Sequence, residues 1–139
     1  MNIHENIKSF FENKKDIVAV YLFGSYADGK EHSSSDVDLA ILFGNRDREA
    51  VNQKLDEYLV ALSRNLRKDV HLTAMDSAGE ELLKQIFKNG KCLVVNEPKK
   101  LAVFKMMAFS KIVSFHYYRS QMQSGIVRKV MEGYKFGRS

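Results

Sequence analysis

Cysteine is nearly missing from this 139-residue chain: Cys92 stands alone. An internal disulfide is therefore excluded, and with it the stapled scaffolds of small secreted domains. The thiol sits in the apolar run "CLVV" and reads as packed and inert. Long apolar runs are missing too. None approaches the roughly 20 residues of a membrane helix. The opening "MNIHENIKSFFENKK" lacks the charged-then-apolar layout of a signal peptide. A cytoplasmic protein with no membrane contact is expected. The four histidines and one cysteine show no zinc-ligand spacing, and no internal repeat is visible.

Acidic residues run out late in the chain. Residues 1–97 carry 13 Lys and Arg against 16 Asp and Glu, a net −3. Residues 98–139 carry 9 against the single Glu132, a net +8. The basic character therefore belongs to the C-terminal part. It fits nucleic acid, an acidic protein partner, or solubility alone.

What is present is an alternation of helical and strand patterns. Ile3, Ile7, Phe10 and Phe11 share one side of a short helix over 3–11. "IVAVYLF" (17–23) suits a strand buried on both faces. "DVDLAILF" (36–43) is a second strand, residues 46–66 an amphipathic helix, and "DVHLT" (69–73) a third strand. "DSAGEELLKQIFKNG" predicts a helix with a Ser77–Glu80 capping box and Gly90 at its C-terminal cap. "KCLVV" (91–95) is a fourth strand, and Pro98 opens a helix over 98–123 that is apolar on more than one face. The result is a mixed α/β or α+β domain around a small mixed sheet. Residues 1–97 form the domain, and 98–139 form a C-terminal helix and basic tail for packing and partner contact.

The stretch "FGSYADGKEHSSSDVDLAIL" (23–42) joins the first two strands. On a strand, Asp36 and Asp38 point to the same side, with Ala40 and Leu42 following, while Val37, Leu39, Ile41 and Phe43 point into the core. Neighbouring carboxylates repel, and a divalent cation removes that conflict. Mg²⁺ is a hard ion that takes one or two carboxylates plus substrate phosphates. In "DVHLT", Asp69, His71 and Thr73 share a face. If this strand lies beside 36–43, Asp69 joins the pair, and three carboxylates suffice for two ions roughly 3.5–4 Å apart, the layout for in-line nucleotidyl transfer. Gly24 and Ser25 follow a buried strand. If a helical turn begins there, its N–H groups and the Ser25 hydroxyl face an anion. Each part alone has a plainer reading: a turn at Gly24-Ser25, a chain-capping Asp36, and an Asp69 paired with Arg67 or Lys68.

Taken together, Gly-Ser, ten residues, Asp-x-Asp and a later strand-opening Asp resemble the signature of the DNA polymerase β-like nucleotidyltransferase superfamily. The short length and strand–helix order look like the minimal nucleotidyltransferases (MNT) of the MntA type, antitoxins of HEPN/MNT toxin–antitoxin pairs. The resemblance covers roughly residues 15–97. It implies that Gly24 and Ser25 bind nucleotide phosphates, that Asp36, Asp38 and Asp69 hold two Mg²⁺ ions and are catalytic, and that AMP passes from ATP to a tyrosine of a HEPN ribonuclease toxin, silencing it. The chain departs from the family at Asp28, where many relatives have Arg in a "GS-x-A-R-G" pattern. Lys30, two residues on, is the candidate replacement cation.

About 40 residues follow the fourth strand, too few for a separate acceptor-binding domain, so a partner is expected to present the acceptor. Met106, Met107, Phe109 and Phe115 offer a docking surface on the long helix, or close the domain's own core. "YYRSQMQSGIVRKVMEGYKF" (117–136) interleaves basic and aromatic side chains, which suits stacking on and neutralising RNA, clasping an acidic protein, or simply a solvated helix end. The competing readings are thus a stoichiometric binding antitoxin with a vestigial site and an RNA-directed nucleotidyltransferase or RNA-binding module. His71 reads as a polar neighbour at the rim of the site, and His116 as a packed or interface residue.

Overall fold

A computed structural model describes residues 2–29, 36–45 and 47–131. Lys30, Ser33 to Ser35 and residues 132–139 lie outside the described residues, as do the side chains of Asp28, Ser124 and 126–131. The elements run α1 (Ile3–Phe11), β1 (Ile17–Phe23), α2 (Ser25–Asp28), β2 (Val37–Phe43), α3 (Arg48–Leu66), β3 (Val70–Ala74), a 3₁₀ turn (Met75–Ser77), α4 (Glu80–Asn89), β4 (Lys91–Val95) and α5 (Pro98–Met131).

The four strands make one mixed sheet in the order β3-β2-β1-β4. β1 pairs antiparallel with β2 and β4, and β2 pairs parallel with β3. The helix α3 supplies the crossover that a parallel pair requires. It ends on Arg67 in the left-handed conformation (φ 55°), whose N–H bonds back to the Ser63 carbonyl at 2.8 Å. That cap turns the chain toward Asp69 and β3.

Both faces of the sheet are covered, which is why the central strands carry unbroken apolar runs. Val37, Leu39, Ile41 and Phe43 pack with Ile7 and Phe11 of α1 and with Val51, Tyr58 and Leu62 of α3. Ala40 and Leu42 pack on the other side with Leu83 and Ile86 of α4 and Leu101 and Ala108 of α5. The face that carries Asp36 and Asp38 therefore has a core of its own further along β2. Asn96 ties the layers together. Its amide donates to the carbonyls of Phe11, Lys14 and Ile17 at 3.1, 3.2 and 3.2 Å. Asn96→Ala removes all three of these bonds, leaving the Phe11 and Lys14 carbonyls only their backbone donors Lys14 and Ile17, and is expected to cost about 2 kcal/mol, read as a drop of several degrees in the thermal midpoint. An unchanged midpoint would mean the amide holds nothing.

Four details correct the sequence reading. Ser77 caps no helix: α4 starts after Gly79, without a side-chain cap, and the Ser77 hydroxyl donates to the Ala74 carbonyl at 3.3 Å inside the 3₁₀ turn. The three-residue turn uses up the spacing a capping box needs. Gly90 does cap α4, but in extended backbone (φ −77°). Glycine is required there because a Cβ would overlap the Ile86 carbonyl oxygen. Cys92 is exposed on the edge strand β4 rather than packed. Partial burial of the thiol still pushes its pKa up, against the lowering effects of Tyr21 and Lys105, so little thiolate forms. Finally, α5 runs on through Gly125 to Met131. One glycine costs a helix only about 1 kcal/mol relative to Ala. No helix among the described residues is long and apolar enough to cross a membrane.

Candidate active site

The loop after β1 starts at Gly24, whose φ of 77° and ψ of −154° lie in a region essentially reserved for glycine. A Cβ built there would meet Asp38 Oδ2 at 2.5 Å. The missing side chain is therefore the space the Asp38 carboxylate occupies. Ladder register explains the proximity, since Phe23 pairs with Asp38 across β1 and β2. Ser25 is the first residue of α2, so the helical turn expected from the sequence is present. N–H groups in a first helical turn lack intrahelical acceptors, though that of Ala27 donates to the Gly24 carbonyl at 3.1 Å. Tyr26 and Ala27 are buried and anchor the turn to the domain.

Asp36 and Asp38 differ in setting. Asp36 immediately precedes β2 and is exposed, while Asp38 lies within the strand and is half-buried. Burial raises the Asp38 pKa; nearby His71 opposes that shift and the Asp36 charge adds to it. A cation at this position would reverse the balance by favouring both ionised carboxylates.

The parallel ladder sets Val37 beside Val70 and Asp38 beside His71. One step earlier, the Val37 N–H donates to the Asp69 carbonyl at 2.9 Å, so the Asp69 backbone adjoins the start of β2. Its side chain is exposed. Among the described residues no group of three or more Asp, Glu, His or Cys side chains stands close enough to hold a metal. The fold thus brings Gly24, Ser25, Asp36 and Asp38 together and sets Asp69 at the same end of the sheet.

The sequence reading gave His71 only a place at the rim. Its Nε2 lies 3.2 Å from Asp36 Oδ2, with the imidazole N–H as donor to the carboxylate. The i, i+2 spacing from Asp69 already held that signal, but only the parallel register identifies the partner. Lys68 is offered by the sequence only as a partner for Asp69. It stands 5.6 Å from the centre of the Tyr26 ring, and so beside α2.

The donor set suits Mg²⁺. Two carboxylates on one strand face, one of them seated in a glycine-sized gap, supply the hard oxygen ligands this ion uses alongside substrate phosphates.

Residues 5–99 match the family described as "Polymerase beta, Nucleotidyltransferase". Over 93 residues the chain is 32% identical to the protein adenylyltransferase MntA of Shewanella oneidensis. That match covers 67% of this chain and spans 65% of the relative's length. Among solved structures, a toxin–antitoxin crystal structure with AMP-PNP is similar at a TM-score of 0.67 and 27% identity, covering 94% of this chain and 99% of that one. A complex of tri-AMPylated Shewanella oneidensis HEPN toxin with its MNT antitoxin is similar at a TM-score of 0.60 and 26% identity, covering 92% and 95%.

Proposed function

Because this chain belongs to the polymerase β nucleotidyltransferase family, we propose that it is an antitoxin that moves AMP from ATP to a tyrosine of a HEPN-domain ribonuclease. The carrying observation is that Asp38 Oδ2 fills the space of the missing Gly24 side chain, which supports reading the Gly24-Ser25 turn as the phosphate holder and the carboxylates beside it as one site. The similarity to MntA and to complexes containing AMP-PNP or AMPylated toxin supports the same reading.

In this reading Ser25 and the first turn of α2 hold the β- and γ-phosphates of ATP. Asp36 and Asp38 would hold Mg²⁺, and Asp69, just before β3 at the same end of the sheet, would be the added ligand for a second ion. Bound Mg²⁺ supplies charge for the phosphates and lowers the pKa of a coordinated hydroxyl. The tyrosine hydroxyl of the partner gives its proton to a carboxylate of the site or to solvent, its oxygen bonds to the α-phosphorus in line, the bond from that phosphorus to the α,β-bridging oxygen breaks, and pyrophosphate leaves. Asp38, within β2 and with its carboxylate against Gly24 at the end of β1, helps to fix that line of attack. His71 orients Asp36 through its hydrogen bond. Lys68, whose ammonium lies over the Tyr26 ring, is with Lys30 a candidate cation for the phosphates. The added phosphate puts bulk and negative charge on the ribonuclease.

The test is RNA cleavage by the partner. Preincubation with this protein, ATP and Mg²⁺ is expected to abolish cleavage, whereas the Asp36→Asn/Asp38→Asn variant leaves it intact. Equal neutralisation without ATP would defeat the proposal and make the protein a stoichiometric inhibitor.

A further inference from the structure

The helix α5 spans 34 residues, about 50 Å at 1.5 Å per residue. Its inner side is modest: Leu101 and Ala108 are buried, Phe104 and Ile112 partly so. The opposite side is apolar too. Val103, Met106, Val113 and Tyr117 are 56%, 73%, 67% and 52% exposed. Their spacing of three, seven and four residues fits the a and d positions of a heptad, with Ser110 on the same line. A helix with a second apolar stripe has a second neighbour to cover it.

At Val103 this stripe borders a groove of about 880 Å³ between α5 and α3. Leu55, Leu72, Val103, Phe104 and Met107 form its apolar floor. Arg48, Lys99, Lys100 and Lys111 stand around it, Lys100 also paired with Glu97 at 3.3 Å, and among the described residues Asp76 is the one acid in its lining. Every Asp, Glu, Lys or Arg in α5, from Lys99 to Lys129, is a Lys or Arg. Charge therefore selects the occupant. A second copy of α5 laid along this stripe would set like charges against like. RNA would answer the charge but leave the aliphatic and methionine surface uncovered. A helix that is acidic at its edges and apolar along its centre satisfies both requirements.

Position matters as well. The groove takes in Leu42 and Phe43 at the end of β2 and Thr73 and Ala74 at the end of β3, opposite the end where Asp36 and Asp38 lie. We infer that the outer face of α5 and its groove form a docking surface for an acidic amphipathic helix of the protein partner, separate from the transfer site. The identity of that partner as a HEPN-domain toxin rests on the function proposed above.

The experiment measures binding of the purified HEPN-domain toxin to the full-length protein by calorimetry at two salt concentrations. Met106→Asp/Val113→Asp is expected to weaken binding at least tenfold. Lys99→Glu/Lys111→Glu should weaken it too and flatten its salt dependence, with α-helical content unchanged in both variants. Asp36→Asn/Asp38→Asn should bind like the wild type. Unchanged affinity in the stripe variant would overturn the inference. So would a wild-type homodimer that the stripe variant dissolves, or release of the toxin by RNA competing for this face. Stripe-dependent binding without AMP transfer would keep the docking surface and defeat only the proposed activity; transfer that ignores the stripe would do the reverse.

Discussion

Asp38→Asn is expected to lower AMP transfer by about 10³-fold while leaving the metal-free protein at least as stable as the wild type. The two effects share one cause. Asp38 is half-buried beside Asp36, and burial first, then that like charge, raise its pKa. An acid with a raised folded-state pKa stabilises the fold fully only below its unfolded-state pKa. That contribution is lost as pH rises through the folded-state value. At neutral pH the ionised Asp38 is therefore a burden on the metal-free protein. Asparagine keeps the shape and removes the charge, so the thermal midpoint in EDTA should stay level or rise. The wild-type midpoint should rise when Mg²⁺ and a non-hydrolysable ATP analogue are added, and the variant's should not. A variant that loses activity because it unfolds would show a lower midpoint in EDTA, which the account does not allow.

Gly24→Ala is the second large effect, and it acts through geometry rather than charge. The backbone at Gly24 costs about 1–3 kcal/mol for any other residue. The added methyl also meets Asp38 Oδ2 at 2.5 Å, so the carboxylate has to shift. A displacement of about 1 Å at a reacting centre costs on the order of 10²-fold in rate. The expected outcome is a lower thermal midpoint together with a transfer rate reduced about a hundredfold. Binding of the partner through α5 should be retained. Relief of part of the rate loss by Asp38→Asn would contradict the account, because without the carboxylate there is no ligand left to restore.

Most strands and helices were legible because their boundaries coincide with changes of period. β1 and α1 occupy the segments that unbroken apolarity and i, i+4 spacing mark out. β2 and β3 each begin one residue later than the sequence pattern places them, so Asp36 and Asp69 stand just before their strands. That offset follows from pairing: the first ladder partners are Val37 and Val70, the first residues with an apolar face to bury. The mixed character of the sheet was legible, but strand order was not, because the parallel β2–β3 contact depends on how α3 packs. For the same reason the sequence left His71 without a partner. Local spacing shows that it shares a face with Asp69, and only the register places its Nε2 at Asp36. The role of Gly24 was half legible. Freedom of dihedral is a property of the residue, whereas the carboxylate filling its missing side chain belongs to the tertiary fold. The Ser77 box failed because the short-range pattern competed with a 3₁₀ turn that the sheet end imposes.

The most direct test of the central claim is the intact mass of a purified HEPN-domain partner after incubation with this protein, ATP and Mg²⁺. The account predicts an increase in whole AMP units located on a tyrosine, and none with Asp36→Asn/Asp38→Asn. An unmodified partner in a complex with folded wild-type protein would contradict it, as would equal modification by the double variant.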